Sequence, residues 1–301
     1  MTSYIDMYFE RFKHRLNNEH IQDITNMYNN VRVYKYEEAF GSTDLSFNSS
    51  NTLIFRQYMS LLSPKIAGIT KGTLISRDKS DIIYKVHICR NDENKDLFII
   101  NFLREIYFQI TFRDILIKEG ITSIIVPEVY RHGIVYNNET NDIMIFMEMH
   151  MYDFTECFIQ TIIDMKSTYT AKVEAIQTYA RRYYKDRCVL SDLEKKYHLY
   201  HNDIGSMQEI DSYIFKLSIP LSYSSSPETN EADVENECKN FIMNGKSDIT
   251  RIFGGNLFNS VNKSTLIDFE DVSIEPFNPL VDEHRNYLPI TIHELIFKKG
   301  I

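Results

Sequence analysis

Two stretches of this chain read as one interrupted motif. The first is Tyr200-His201-Asn202-Asp203-Ile204, and the second is Gly254-Gly255-Asn256-Leu257-Phe258 followed by Ser264-Thr265-Leu266-Ile267-Asp268-Phe269-Glu270. An apolar strand that runs into Leu266-Ile267-Asp268-Phe269 sets one carboxylate rigidly at a strand end. Asn256 precedes Asp268 by 12 residues, room for two short strands and a turn. Asp203 adds a second carboxylate, 53 residues before Asn256.

With the intervening residues looped out, the order H-N-D-I, G-G-N-L-F, L-I-D-F-E resembles the catalytic loop and metal-binding turn of the protein-kinase-like superfamily, whose usual forms are H-R-D-x-x-x-x-N and D-F-G. Phosphoryl transfer to a hydroxyl needs a carboxylate to receive the proton, oxygen ligands that hold Mg²⁺ against the phosphates, and a cation on the phosphate oxygens. The resemblance therefore implies Asp203 as proton acceptor and Asn256 and Asp268 as metal ligands. It requires an insertion of about 48 residues, roughly 205–253, inside a loop that normally has its Asn five residues after the Asp. Gln208 stands at that fifth position and can offer an oxygen. It is not followed by the hairpin that leads to Asp268, so Asn256 is the better reading.

The upstream chain supplies further parts. Asp81-Ile82-Ile83-Tyr84-Lys85-Val86-His87-Ile88 is an apolar strand with one lysine in it, and such a lysine is costly unless it meets an anion. A helix over Asp96–Lys118 follows, with Leu97, Ile100, Leu103, Ile106 and Ile110 at helical spacing. It carries Glu105 inside its apolar stretch, 20 residues after Lys85. The resemblance makes Lys85 the contact to the α- and β-phosphates of ATP and Glu105 its partner; Arg104 and Arg113 are the neighbouring alternatives for that carboxylate. The segment Lys65–Ser76 reads as the hairpin over the phosphates, although its only glycines are Gly68 and Gly72, short of G-x-G-x-x-G. The strand Ile143–His150 ends Met147-Glu148-Met149 and resembles the strand and hinge that hold adenine through the backbone of Glu148 and Met149.

Bulk composition limits the alternatives. A net charge of −9 argues against a sequence-neutral nucleic-acid binder, which needs a basic face. The 4 cysteines are widely spaced with no C-x-x-C pair, which fits a reducing compartment and argues against a zinc site of that type. No signal peptide and no apolar run long enough to span a membrane is evident. The absence of Trp, with abundant Ile, Asn, Lys and Tyr, points to an AT-rich genome, as in some large DNA viruses.

These readings give an α+β chain with a bilobal protein-kinase-like fold. Its expected parts are an N-terminal helical extension over 1–62, with Leu53–Leu62 as one of its helices, a nucleotide-binding sheet and helix over 63–150, and a reduced, mostly helical second lobe over 151–301. Within the insertion, Ser222–Glu237 reads as a polar, acidic, disordered loop. The tail after Asp268 lacks A-P-E, and Glu270-Asp271 stands where a Gly usually follows Asp-Phe. The pattern is similar to divergent Ser/Thr protein kinases of large DNA viruses, of the poxvirus late kinase type, and also to aminoglycoside and choline kinases. The implied activity is ATP- and Mg²⁺-dependent transfer to a protein Ser/Thr hydroxyl, in the host cytoplasm or virion. Two alternatives are an inactive pseudokinase with partner surfaces on 1–62 and the acidic insertion, and a small-molecule kinase.

Overall fold

The computed structural model describes residues 8–9, 15–40, 53–56, 70–76, 81–89, 94–136, 143–150, 162–202, 204, 206–222, 230–253, 257–259 and 263–276. The protein is α+β, with a six-stranded mixed sheet, a long helix against it, and a helical block on that helix's other side. The sheet is built from β1 (Val33–Tyr34), β2 (Leu53–Arg56), β3 (Thr70–Ser76), β4 (Ile82–Cys89), β6 (Val129–Tyr136) and β7 (Ile143–His150) in the order β1-β6-β7-β4-β3-β2. Within this sheet, among the described residues, only β1 pairs in parallel, with β6. The two central strands, β4 and β7, are buried over most of their length, which is why they read as near-continuous apolar runs rather than alternating ones.

Helix α3 (Lys95–Lys118) starts at Asn94, whose side chain accepts from the Leu97 N–H. Helices α1 (Asn18–Asn29) and α2 (Tyr36–Phe40) precede it in the chain. Apolar side chains surround α3 because it is covered on two sides. Ile99, Phe102, Leu103 and Ile106 pack with Ile83, Ile145, Met147 and Met149 of the sheet. Ile100, Phe108, Phe112 and Leu116 join the larger core of the helical block. That block consists of α4 (Tyr169–Tyr197), α5 (Met207–Ser222) and α6 (Glu231–Phe253). Short strands complete it: β5 (Ile124–Ile125) pairs with β10 (Ser264–Leu266), β10 with β9 (Leu257–Asn259), and β8 (Tyr200–His201) with β11 (Val272–Ser273).

Three expectations are corrected. Leu53–Arg56 is a strand, not the start of a helix, and it pairs antiparallel with β3 from Leu53↔Ser76 to Arg56↔Thr73. A sheet edge in need of a partner outweighs local helical spacing. Secondly, the described part of residues 1–62 is not solely helical, since β1 and β2 are strands of the main sheet. Ala39 and Phe40 of α2 pack against Tyr84 and Phe146, and α1 lies on α3 through the bonds Tyr28 Oη→Asp96 and Tyr107 Oη→Asp23. Thirdly, the acidic end of the supposed loop is helical from Glu231. Val234, Cys238, Ile242 and Ile249 of α6 are buried on one stripe, and Glu231 and Asp233 in its first turn favour the positive end of the helix dipole. Residues 223–229 lie outside the described set.

Gly133 shows how closely the N-terminal segment is fitted. A Cβ there would lie 2.4 Å from the Tyr34 ring and 2.6 Å from the Arg32 carbonyl oxygen. Gly133→Ala should therefore destabilise the protein by about 1–3 kcal/mol, read as a lowered urea midpoint. An unchanged midpoint would show that residues 32–34 do not pack against β6 in solution.

Candidate functional site

Three elements deliver the charges of the site. β4 carries Lys85, held in register between Thr73 of β3 and Met147 of β7. α3 carries Glu105 on the side facing the sheet. The turn after β10 carries Asp268, followed by a 3-10 turn over Phe269–Asp271. Lys85 Nζ donates to Glu105 Oε1 and, at 3.1 Å, to Asp268 Oδ1, while Glu270 Oε1 stands 4.0 Å away. Burial is graded across the cluster: the side chains are 1% exposed for Glu105, 19% for Lys85, 39% for Asp268 and 38% for Glu270. Glu105 is thus the floor of the site, and Asp268 and Glu270 form its rim.

One ammonium faces three carboxylates, and the electrostatics follow from that count. Burial works against the charged lysine, but Glu105, then Asp268 and Glu270, more than offset it and hold the ammonium above its ordinary range. The Glu105 carboxyl is pushed up, chiefly by burial, with Asp268 and Glu270 adding to the shift and Lys85 opposing it. The cluster therefore has an appetite for a further cation.

Asp268 has φ 61° and ψ 76°, in the left-handed region that costs a non-glycine residue about 1–2 kcal/mol. The surrounding bonds explain how it is held. Arg104, buried on α3, donates through Nη2 to the carbonyls of Glu270 (2.8 Å) and Val272 (3.1 Å). His201 donates from Nε2 to the Ile267 carbonyl at 3.0 Å, which assigns its proton to that nitrogen. The Asn202 backbone N–H and its side-chain Nδ2 both donate to the Asp271 carbonyl, and Nδ2 also reaches Ser273 Oγ. Phe269 is fully buried between Phe112 and His201. Arg15 closes the far end with a 2.7 Å ion pair to Asp271. Burial depresses His201 to about 4, so the imidazole is neutral.

Of the residues singled out in the sequence, Lys85, Glu105 and Asp268 converge. Neither arginine competes for Glu105: Arg104 holds backbone carbonyls, and Arg113 pairs with Glu128 at 2.9 Å. Asp203, Asn256 and Gly68 lie outside the described residues. Sequence neighbours of the first two are near the Asp268 turn, because Asn202 binds Asp271 and Leu257 pairs with Leu266. Gly72 sits within β3 opposite Val86, so it belongs to a paired strand and not to an open loop. Glu148 and Met149 are likewise paired on both sides, with Tyr84 and Arg131 and with Ile83 and Val129. Their backbone is committed to the ladder, and the Glu148 side chain accepts from Arg131 Nε. The strand carrying them continues through His150. Sequence reasoning missed Arg104, Glu270 and the clamping role of Asn202. The signal for Arg104 was present: a second charge inside the apolar run Phe102–Ile106 needs a buried partner of its own.

Compared with known proteins, the chain matches no family model, no curated protein and no solved structure.

The neutral, buried His201 has a defined consequence for stability. Its folded value lies below the ordinary 6.5, so protons prefer the unfolded chain. Its contribution is complete above about pH 6.5 and is lost as pH falls toward 4, on the order of 3 kcal/mol in all. His201→Gln keeps a donor for Ile267 but does not titrate. The difference between the wild-type and variant stability profiles, from urea unfolding at pH 7 to 4, should show this slope. Parallel profiles would mean that His201 titrates alike in the folded and unfolded chain, with no depression on folding.

Proposed function

We propose that this chain is an ATP- and Mg²⁺-dependent phosphotransferase with a bilobal, protein-kinase-like arrangement, acting on Ser/Thr hydroxyls of a protein. The observation that carries the reading is Lys85 Nζ held between Glu105 and Asp268, groups from three separate elements and, for Lys85 and Asp268, 183 residues apart. A lysine oriented by a helix carboxylate beside a strand-end aspartate is the arrangement that phosphate recognition by this chemistry needs.

The residues fit the cofactor. Three carboxylates around one ammonium leave a surplus of negative charge, and the partly exposed Asp268 carboxylate is a hard oxygen donor suited to Mg²⁺. Asp268 and Asn256 would hold the metal, and Lys85 the phosphates. Mg²⁺·ATP, when bound, supplies the phosphoryl group and neutralises the charge on its oxygens. Glu105 keeps the Lys85 ammonium aimed and charged. Asp203 receives the proton of the acceptor hydroxyl, next to the His201–Asn202 segment that is tied to the Asp268 turn. The expected setting is the host cytoplasm or virion, without nucleic acid as a partner. No helix of the described residues is long and apolar enough to cross a membrane.

A second reading, a pseudokinase that serves as an interaction protein, is favoured by one observation: Asp268 and Glu270 both crowd Lys85 beside Glu105, so the ammonium is already heavily engaged. The two readings separate in one experiment. Thermal shift with ATP, with and without Mg²⁺, is followed by γ-phosphate transfer to a mixed Ser/Thr substrate. The phosphotransferase gives a Mg²⁺-dependent rise in midpoint together with transfer. Asp203→Asn then lowers transfer by about 10²–10⁴-fold with the nucleotide shift retained. Undiminished transfer in that variant would overturn the assignment; a shift without transfer would support the pseudokinase or a small-molecule acceptor.

A further inference from the structure

We propose that His87, Glu105 and Glu270 form a binding site for a first-row transition-metal dication, zinc foremost, distinct from the Mg²⁺ site assigned to Asn256 and Asp268. The inference does not depend on phosphotransfer. Its starting point is position: His87 follows Lys85 by two residues on β4, so both side chains leave the same face of the strand, toward α3. One potential ligand atom from each of His87, Glu105 and Glu270 lies within 4.8 Å of the other two.

The second observation is the state of Glu105. Its Oε1 accepts from Lys85, while Oε2 is buried with no hydrogen-bond partner among the described residues, in a side chain only 1% exposed. A buried charged oxygen left without a partner costs at least about 1–3 kcal/mol. A cation bound at Oε2 removes that cost without breaking the Lys85 bond. It also reduces the surplus charge of the three carboxylates.

Donor chemistry selects the metal. One imidazole and two carboxylates make a borderline set, which suits zinc, cobalt or manganese and leaves a fourth position for water. Mg²⁺ prefers oxygen ligands throughout and discriminates against the imidazole. Zinc bonds to these ligands are about 2.0–2.2 Å long, so two ligand atoms on a tetrahedral ion sit about 3.3–3.6 Å apart. A spacing within 4.8 Å needs a closure of at most about 1.5 Å. Glu270, on the rim with its side chain 38% exposed, has the freedom to supply it. His87 is 5% exposed and packed edge-on against Phe102 at 4.6 Å between ring centres, so its imidazole is pre-oriented.

The test is titration calorimetry of the full chain with ZnCl₂, with Co²⁺ absorption as a spectroscopic readout. One Zn²⁺ per chain is expected, unaffected by millimolar Mg²⁺. Glu270→Gln and His87→Gln should each weaken it by about tenfold or more and flatten the Co²⁺ ligand-field bands. Lys85→Met, which removes the competing cation, should tighten it. Glu270 lies at the rim, so its variant tests the site even if His87→Gln fails to fold. Absence of stoichiometric Zn²⁺ binding, or equal affinity in wild type and Glu270→Gln, would overturn the proposal. Neither result bears on the ATP experiment, so the two readings fail separately.

Discussion

The structure around the site depends on one buried ammonium. Lys85 sits in a central strand where an unpaired charge would be prohibitive, and its three carboxylate neighbours come from α3 and from the turn after β10. Removing one partner of such a pair typically costs about 3–5 kcal/mol, because the other charge stays behind. The register of β4, the rotation of α3 and the position of the 268–270 turn are therefore mutually constrained. Arg104 reinforces this from the next position on the helix. Adjacent helical residues diverge by about 100°, so Glu105 grips the sheet while Arg104 grips the carbonyls of Glu270 and Val272. α3 thereby acts as a two-sided bracket.

The left-handed Asp268 is intelligible only in that setting. Backbone strain persists where the surroundings over-determine the conformation. Here the Ile267 carbonyl is held by His201, the carbonyls of Glu270 and Val272 by Arg104, and the carbonyl of Asp271 by Asn202. Phe269 anchors the turn in the core against Phe112. With those carbonyls held, the backbone of the turn keeps Asp268 beside Lys85. The neutrality of His201 follows from its burial, with Arg187 adding to it, which together outweigh the Ile267 bond and the Asp268 and Asp271 charges that favour an imidazolium.

What could be read from the sequence was what single residues cannot hide. A lysine in an apolar strand and a glutamate in an apolar helix each demand a partner, and the structure pairs them. The short apolar runs at Leu257 and Leu266 signalled a hairpin, and they pair. Elements decided by tertiary pairing were not legible. Leu53-Ile54-Phe55 reads equally as helix or strand until β3 offers an edge, and two residues at Val33–Tyr34 carry no period at all. α6 was obscured because its stripe supplies one buried residue per turn within an acidic, polar stretch, and composition outvoted periodicity. Arg104 was seen only as a possible partner for Glu105. Its real partners are backbone carbonyls, which leave no trace in side-chain spacing.

The two helices between Asn202 and Leu257, α5 and α6, are part of the core. Glu235 of α6 accepts from the Tyr169 and Thr170 N–H groups (2.6 and 2.9 Å), satisfying donors at the start of α4 that the helix itself cannot. Phe253, at the other end of α6, is fully buried and packs edge-on against Tyr183 and Tyr179, and its carbonyl accepts from the Tyr179 hydroxyl. Tyr183 lies between Arg182 and Tyr184 on α4 and is fully buried. α4 in turn carries Arg187 and Glu194, and Glu194 accepts from the His201 N–H. α6 therefore supports α4, α4 supports His201, and His201 holds the carbonyl next to Asp268. A change in α6 has a continuous physical route to the site without touching any of its charged groups.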